Sequence, residues 1–316
     1  MRVVVFLDAG GEKQLQLSPK TQFMLVSVVI LIIVVSSLAL KPGTPNIRVA
    51  HDVYGTSDWT NWASAAWLYY QPGPSSGVNP RTGLNRATTY WHCFSDWDLG
   101  SYIYAMIYAR KLGLIQDGNG SDDWQFNDRI NKVLSFLQNR ALGTGNNPYL
   151  AYEWNSLPGT RCSDTGSQTS NPADEGRLLA ALYALKTFRT DLSNRVDSIF
   201  TRSKTAYDHM VTEITFPDYY GYLAAEGFAG FGYDESAVFN ALDSYSGRYV
   251  SNSLTYGQSL PAIKTLAEPL MHLILESDTL VHPLSSSVVD FAKRVYLTQS
   301  GRWSATGKLT AWSEGS

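Results

Sequence analysis

Residues 96–113 read DWDLGSYIYAMIYARKLG, and this stretch decides the fold class of the chain. It is apolar on nearly every side until its basic end at Arg110 and Lys111. A helix that is apolar all round is normally buried by other elements. The stretch therefore predicts a helix over 96–113 that lies inside a larger helical assembly.

Outward from this segment, buried and amphipathic helices alternate along the chain. The pattern predicts amphipathic helices at about 58–70, 123–141, 192–211, 235–245 and 286–299, and buried ones at about 96–113, 172–188, 219–231 and 262–276. No convincing period-2 pattern of a strand interrupts them. The sequence thus predicts an all-α domain with inner and outer helices.

An α/α toroid explains this alternation, because an inner ring of buried helices is wrapped by amphipathic helices joined to them as antiparallel hairpins. The longer connections then gather at the N-terminal ends of the inner helices, which carry free N–H groups and the positive dipole end. We expect a pocket on that face. A helical solenoid is the alternative, but no fixed sequence period supports it.

The segment 21–40 reads TQFMLVSVVILIIVVSSLAL and contains no charged residue. About 20 residues at about 1.5 Å each span the roughly 30 Å hydrocarbon core of a bilayer. We therefore expect a cytoplasmic tail at 1–20, a transmembrane anchor at 21–40, a linker at 41–57 and the helical domain at 58–316. A cleavable signal peptide is the alternative, because Ser37-Leu38-Ala39 is a tolerable cleavage site.

The charges and cysteines favour a single-pass protein of the cell membrane whose domain is extracytoplasmic. Basic residues are slightly more frequent before the span than after it, as the positive-inside rule requires of a cytoplasmic tail. Cys93 and Cys162 fall on the same side of the span, so they could form a disulfide in an oxidising compartment. Two unpaired cysteines are the alternative.

The composition is that of a folded domain. The chain is 44% hydrophobic and has a formal net charge of −3, and we find no basic stripe. A nucleic-acid partner is therefore not expected. Nine Trp, nineteen Tyr and twelve Phe supply either a large aromatic core or flat rings that stack on sugars, and composition does not separate the two.

Acidic residues collect where the buried helices are expected to begin and in the loop before one of them. They are Asp96, Asp98, Glu153, Asp164, Asp174, Glu175 and Glu268. Helix capping explains some of them, because Ser95 and Asn171 are good N-cap residues. Taken together, carboxylates from separate segments would converge on one face.

Glycoside hydrolysis needs two carboxyl groups across the scissile bond, and the one that acts as acid must have a raised pKa. Glu153 lies between Tyr152 and Trp154, which are apolar neighbours suited to that acid. We therefore take Glu153 as the candidate general acid. Asp98 and Glu175 are the candidates for its partner or for contacts with substrate hydroxyls.

Other chemistries have little support in the sequence. The five His residues occur singly, without the spacing of a zinc motif, and the chain has no Gly-x-Ser-x-Gly elbow or phosphate-binding loop. We therefore expect neither a metal site nor a cofactor.

Several segments have the order and spacing of a known family, from about Asp58 to the last residue. They are Trp97–Tyr102, Ala109–Ile115, Asp174–Leu179, Tyr220 with Ala224–Phe228, Glu268-Pro269 and Thr306–Glu314. These segments resemble the domain of unknown function 3131 family, whose relatives include glucoamylase-like and β-1,2-glucanase-like toroid enzymes. The resemblance implies an α/α toroid that acts on or binds a glycan.

The resemblance also implies substrate contacts at the matching positions. They are Trp97, Asp174, Arg177, Tyr220, Glu268, Trp312 and Glu314, to which the aromatic loop adds Tyr152 and Trp154. Carbohydrate is therefore the expected partner, beside the membrane.

The chain departs from the family in two places. Gly221 stands where the family usually has a Glu, with Glu226 shifted along the chain, and the sequence ends at Ser316, where family members continue. The helices predicted here make four hairpins, a ninth helix and the start of a tenth, whereas a closed ring of six hairpins needs twelve. We therefore expect an incomplete (α/α)6 barrel, truncated at its C-terminus.

Two functions fit these observations. The first is a membrane-anchored, extracytoplasmic glycoside hydrolase that acts on a poly- or oligosaccharide through paired carboxylates in an aromatic-lined cleft. The second is a non-catalytic glycan-binding or cell-envelope protein of the same fold. Carboxylates facing each other across an open site favour the first, whereas acids buried in Arg pairs or caps favour the second. A polysaccharide lyase would need a basic clamp, of which the sequence shows little.

Overall fold

The structure is a computed structural model that describes residues 3–4, 14–15, 56–73, 77–214, 219–263 and 267–308. Contacts divide the chain into two units, Met1–Tyr69 and Tyr70–Ser316. Helices predominate in the described residues and strands are few and short, so the predicted predominance of helix is confirmed.

In the first unit, the described residues include two short strands and one α-helix. Strands β1 (Val3–Val4) and β2 (Gln14–Leu15) pair antiparallel, and helix α1 spans Thr56–Trp67. The predicted span at 21–40 lies outside the described residues, as does most of the linker. Within the ranges that the structure describes, no helix is both long enough and apolar enough to cross a bilayer.

The second unit holds the remaining elements. Its helices are α2 (Asp96–Lys111), α3 (Phe126–Asn139), α4 (Pro172–Phe188), α5 (Ser193–Arg202), α6 (Lys204–Met210), α7 (Tyr219–Ala229), α8 (Ser236–Asp243), α9 (Ala267–Leu275) and α10 (Ser286–Thr306). Strand β3 (Cys93–Phe94) pairs antiparallel with β4 (Tyr152–Glu153), and β5 (Tyr249–Val250) pairs antiparallel with β6 (Leu260–Pro261).

The helices of the second unit form an inner and an outer layer. Helix α4 packs against α2 on one side and against α7 on the other, and α7 also contacts α9. The outer helices α3, α5, α8 and α10 contact α2, α4, α7 and α9 in turn. The alternation of apolar and amphipathic segments therefore corresponds to a real alternation of inner and outer helices.

Glycines allow the inner helices to approach closely. A Cβ on Gly176 of α4 would lie 2.4 Å from Ala224 Cα, and a Cβ on Gly227 of α7 would lie 1.9 Å from Gly176 O. Real Cβ atoms do not come so near to backbone atoms. Residues without a side chain are therefore required where α4 crosses α7.

Side chains also join the two ends of the inner layer. Trp97 Nε1 in α2 donates to Glu268 Oε1 in α9 over 3.2 Å. Farther along, Tyr108 Oη donates to the carbonyl of Leu275 over 3.3 Å. Helices α2, α4, α7 and α9 consequently lie around a shared centre, and their first turns meet on one face.

Two predicted helices have different bounds in the structure. The segment predicted as one helix over 192–211 is two helices, because Ser203 leaves the helical conformation and its carbonyl accepts from Ala206 N and Tyr207 N to start α6. Helix α10 continues past residue 299 to Thr306, where Gly307 takes the left-handed conformation that ends it. Residues 309–316, where a tenth helix was predicted to begin, lie outside the described residues.

Candidate functional site: carboxylates at the ends of the inner helices

The first carboxylate of the site is fixed by the start of α2. Ser95 is the N-cap, and Asp98 in the first turn accepts hydrogen bonds from Ser95 N (2.9 Å) and Ser95 Oγ (3.1 Å) at Oδ2. This capping box pairs the N-cap with the third helical residue. It leaves the Asp98 side chain partly exposed on the face where the inner helices begin.

The second carboxylate is fixed by the start of α4. Asn171 is the N-cap and accepts from Ala173 N and Asp174 N, while Pro172 occupies the first helical position, which suits its fixed φ. Asn171 Nδ2 donates to Asp174 Oδ2 over 3.0 Å. Asp174 is thereby held in the first turn of α4, on the same face as Asp98.

The third carboxylate, Glu268, comes from the first turn of α9. Trp97 Nε1 donates to Oε1 (3.2 Å) and Tyr220 Oη donates to Oε2 (3.1 Å), so each oxygen accepts a hydrogen bond from a different inner helix. The rings of Trp97 and Tyr220 meet edge to face with centroids 5.2 Å apart. Glu268 therefore links α2, α7 and α9.

The three carboxylates act on one another electrostatically, and we call Asp98, Asp174 and Glu268 the carboxylate cluster. Burial raises the pKa of Asp174 from 3.8 to about 7, and the charges of Asp98, Asp96 and Glu268 add to the effect. Burial also raises the pKa of Asp98 to about 6, against the hydrogen bonds from Ser95 and with help from Glu268 and Asp96. Near neutral pH the cluster therefore holds both protonated and ionised carboxyl groups.

A buried ion pair lies farther along the inner helices than the cluster. Arg177, one turn after Asp174 in α4, donates through both terminal nitrogens to Glu276, with Nη2–Oε1 at 2.6 Å. Burial opposes ionisation of Glu276, but the Arg177 guanidinium and His272 outweigh it and lower the pKa of that carboxyl. Arg177, predicted to contact substrate, is instead buried and engaged with Glu276.

The predicted catalytic residue Glu175 lies in a separate buried group, the arginine network, made of Asp96, Arg140, Glu175 and Tyr207. Arg140 Nη1 donates to Asp96 Oδ2 over 2.7 Å, and Tyr207 Oη donates to Glu175 Oε2 over 3.2 Å. Burial raises the pKa of Glu175 well above its ordinary value, and the neighbouring Asp96 adds to this. The partners of Glu175 are therefore Asp96, Arg140 and Tyr207, although the charge of Asp96 also raises the pKa of Asp98 and Asp174.

Glu153, the predicted general acid, lies in another loop region beside a disulfide. It is opposite Cys93 in the β3–β4 pair, and Cys93 is bonded to Cys162 with their Cα atoms 5.9 Å apart. Glu153 Oε1 accepts from Ser163 N and Ser163 Oγ, both at 3.2 Å, and lies 3.5 Å from His92 Nε2. The partners of Glu153 are thus Ser163 and His92, and the structure does not place it against the carboxylate cluster.

Of the other residues predicted to contact substrate, some lie at the carboxylate cluster and some lie elsewhere. Tyr152 is buried, and its hydroxyl donates to Ala141 O over 2.9 Å. The guanidinium of Arg86 lies over the Trp154 ring, 4.7 Å from the ring centroid. Trp312 and Glu314 lie outside the described residues. Trp97, Asp174, Tyr220 and Glu268 do come together with Asp98.

Our sequence reasoning missed His272. Its ring lies edge-on to the Trp97 ring with centroids 5.5 Å apart, and its Nδ1 lies 3.2 Å from Glu276 Oε1. The pair could have been found from the sequence, because His272 in the apolar helix and Glu276 directly after it are four positions apart. Residues at this spacing share one face of a helix.

The cluster has the components of acid–base catalysis. Asp174 can carry a proton at neutral pH, and each oxygen of the Glu268 carboxyl group accepts a hydrogen bond that fixes its orientation. Trp97 and Tyr220 supply flat rings beside these groups, and such rings stack on the C–H faces of sugars. A proton donor, a carboxylate and an aromatic wall thus occur at one place.

Two solved structures are similar to this chain. A protein from Bacteroides caccae that is provisionally described as a glucoamylase is 10% identical, with a TM-score of 0.52 and coverage of 81% of this chain and 69% of that one. An endo-β-1,2-glucanase from Chitinophaga pinensis, in complex with sophorotriose and glucose, is 11% identical, with a TM-score of 0.43 and coverage of 90% and 66%. The first likeness shows that the two chains share a fold, and the second is too weak to add to it.

At the level of sequence, no curated protein matches the chain. A family profile does match, and it covers most of the chain, including every residue of the carboxylate cluster and of the arginine network. Over residues 61–316, the chain belongs to the family described as protein of unknown function (DUF3131).

Proposed function

We propose that this protein is a glycoside hydrolase that acts on a poly- or oligosaccharide through Asp98, Asp174 and Glu268. The observation that carries the proposal is the meeting of three carboxylates from the first turns of α2, α4 and α9, with the pKa of Asp174 raised to about 7. Glycosidases need such a pair of unequal carboxyl groups. The shared fold with a glucoamylase-like structure supports the same reaction class.

Each carboxylate has a distinct role in this proposal. Asp174 is the general acid that protonates the leaving glycosidic oxygen, because burial and its acidic neighbours keep its proton near neutral pH. Glu268 is the partner that activates water or attacks the sugar, because Trp97 and Tyr220 donate to its two oxygens and orient them. Asp98 sets the field that holds the proton on Asp174.

The proposal includes a toroidal domain on the outer side of a membrane. The Cys93–Cys162 disulfide supports an oxidising, extracytoplasmic compartment, where such bonds persist. The charge-free segment 21–40 supports a membrane anchor. A protein exposed in this way has access to polysaccharides outside the cell.

A non-catalytic glycan-binding protein is the second candidate, and the capping contacts favour it. Asp98 completes a capping box with Ser95, and Asp174 accepts from the N-cap Asn171. Such first-turn roles explain both acids without any reaction. In this case, Trp97 and Tyr220 would bind a glycan that is released unchanged.

The test is glycan hydrolysis by the full chain on a panel of α- and β-glucans. Wild type is compared with Asp174→Asn, Glu268→Gln and Glu153→Gln. The matched control is Glu213→Gln, an exposed carboxylate paired with His209. We expect products from wild type and control, and almost none from Asp174→Asn and Glu268→Gln.

The outcomes separate the candidates. Glycan binding without products, from a folded wild-type chain, would support the binding protein and reject the hydrolase. Loss of activity in Glu153→Gln, with full activity in Asp174→Asn, would move the chemistry to the disulfide loop.

A further inference from the structure

A second group of polar side chains surrounds the disulfide. His92 directly precedes Cys93, Glu153 lies opposite Cys93 in the β3–β4 pair, and Asp164 follows Cys162 by two positions. The disulfide and the strand pairing therefore bring His92 together with the loop of Glu153 and Asp164, which is distant from it in the sequence.

Both carboxylates lie near the imidazole of His92. His92 Nε2 lies 3.5 Å from Glu153 Oε1 and 3.9 Å from Asp164 Oδ1. Ligand atoms that share one transition-metal ion at bond lengths of about 2.0–2.2 Å are roughly 3–3.5 Å apart. The imidazole is thus within reach of each carboxylate, and rotation of the half-exposed Asp164 side chain would bring both carboxylates and the imidazole to one ion.

Further hydrogen bonds orient the two carboxylates. Trp91 Nε1 donates to Asp164 Oδ2 over 2.9 Å, which directs Oδ1 towards His92. Ser163 donates through N and Oγ to Glu153 Oε1. Such outer hydrogen bonds hold the ligands of protein metal sites in position.

We propose that His92, Glu153 and Asp164 bind a divalent transition-metal ion such as Zn²⁺ while the disulfide is intact. An imidazole combined with carboxylates suits ions of this type, whereas Ca²⁺ takes six to eight oxygen ligands. The Cys93 and Cys162 sulfurs lie near these groups, but thiolates rather than disulfide sulfurs bind metals. The bond therefore acts as the scaffold of the site, and water fills the remaining coordination positions.

Spacing in the sequence did not indicate this site. His92, Glu153 and Asp164 belong to no metal motif, and they meet only because the loop before α4 folds back onto β3. The site also assigns a role to Glu153 that does not depend on the carboxylate cluster.

The test is titration of the full, oxidised, metal-free chain with Zn²⁺ by calorimetry, and with Co²⁺ by visible absorption. We expect one ion per chain and no competition from Ca²⁺. His92→Ala should weaken binding by more than about 100-fold because it removes a ligand, and Trp91→Phe by about 10- to 100-fold because it removes an orienting donor. His209→Ala is the matched control, since His209 forms an exposed pair with Glu213, and it should leave the affinity unchanged.

Circular dichroism checks that each variant is folded, and Trp91→Phe keeps an aromatic ring in place. Equal Zn²⁺ affinity in wild type and His92→Ala would overturn the proposal. So would binding that requires prior reduction of the disulfide by a dithiol, because the ligands would then be thiolates. Absence of Zn²⁺ binding by the folded, oxidised chain would reject it outright.

Discussion

The carboxylate cluster and the arginine network are built from neighbouring residues, yet they differ in exposure and in hydrogen-bond partners. Asp96 and Asp98 both belong to the first turn of α2, and Asp174 and Glu175 are adjacent in α4. Asp98 and Asp174 are partly exposed and held by the neutral donors Ser95 and Asn171. Asp96 and Glu175, in contrast, are fully buried.

The partner on the facing element accounts for the difference. Asp96 forms an ion pair with Arg140, so a buried negative charge is compensated, and Glu175 beside it keeps its proton. In the cluster, burial raises the pKa of Asp98 and Asp174, and the neighbouring acids add to the effect. Adjacent acids in one helix can thus serve stability and chemistry separately, because the helix turns them towards different surroundings.

The largest expected effect is the difference in hydrolysis rate between a variant of Asp174 and a variant of Glu175. Asp174→Asn should lower glycan hydrolysis by about 10²- to 10⁴-fold, the usual contribution of a general acid. Glu175→Gln should leave the rate nearly unchanged, because the amide replaces a carboxyl group that is already neutral. Steady-state kinetics of the two variants check this, and equal losses would show that the two regions do not differ in function.

The second effect concerns the arginine network. Arg140→Met should lower the free energy of unfolding by about 3–5 kcal/mol, because Asp96 would remain buried without its cation. Denaturant unfolding measures the loss. The matched control is Lys204→Met, which removes an exposed pair with Asp208 and should cost about 1 kcal/mol or less. Similar losses in both variants would contradict the structural role of the network.

A smaller effect is expected where α4, which contributes to both regions, crosses α7. Gly227→Ala should lower the free energy of unfolding by about 1–3 kcal/mol, because the added methyl group meets the Gly176 carbonyl. Gly232→Ala is a useful comparison, because its positive φ strains the variant although the space around it is open. Thermal unfolding of both variants would separate crowding from backbone strain.

The smallest effect is the pH dependence of stability. The pKa of Asp174 is about 7 in the folded chain and 3.8 in the reference state, so between these values the folded state binds more protons. The free energy of unfolding should therefore fall as pH rises from 4 to 7, by less than about 1.4 kcal/mol per pH unit because the side chain is partly exposed. Asp174→Asn should flatten this slope. A slope that is unchanged in the variant would assign the pH dependence to other groups.

The local features of the cluster were readable from the sequence. Ser95 and Asn171 are N-cap residues followed by first-turn acids, and the apolar run after each of them predicts a buried helix. The positions of Asp98 and Asp174 follow from these two patterns. The selection of Glu153 and Glu175 as catalytic partners did not, since it relied on sequence neighbours that the fold directs elsewhere.

The pairing of distant segments could not be derived in this way. Glu268 reaches Trp97 across 171 positions of sequence, and Arg140 reaches Asp96 across 44. Hydrophobic periodicity states which residues of one helix share a face, but not which helix that face meets.

By itself, the sequence determined the predominance of helix, the alternation of inner and outer helices, the capped helix starts and the family. These depend on local hydrogen bonding and on the period of apolar residues, which are properties of short segments. Only the tertiary structure decided that Asp174 lies in the electric field of Glu268 while Glu175 lies near Arg140, and that Glu153 and Asp164 lie near His92 beside the disulfide. The physical reason is that burial and neighbouring charges set the chemistry of a carboxyl group, and both depend on packing between segments far apart in the chain.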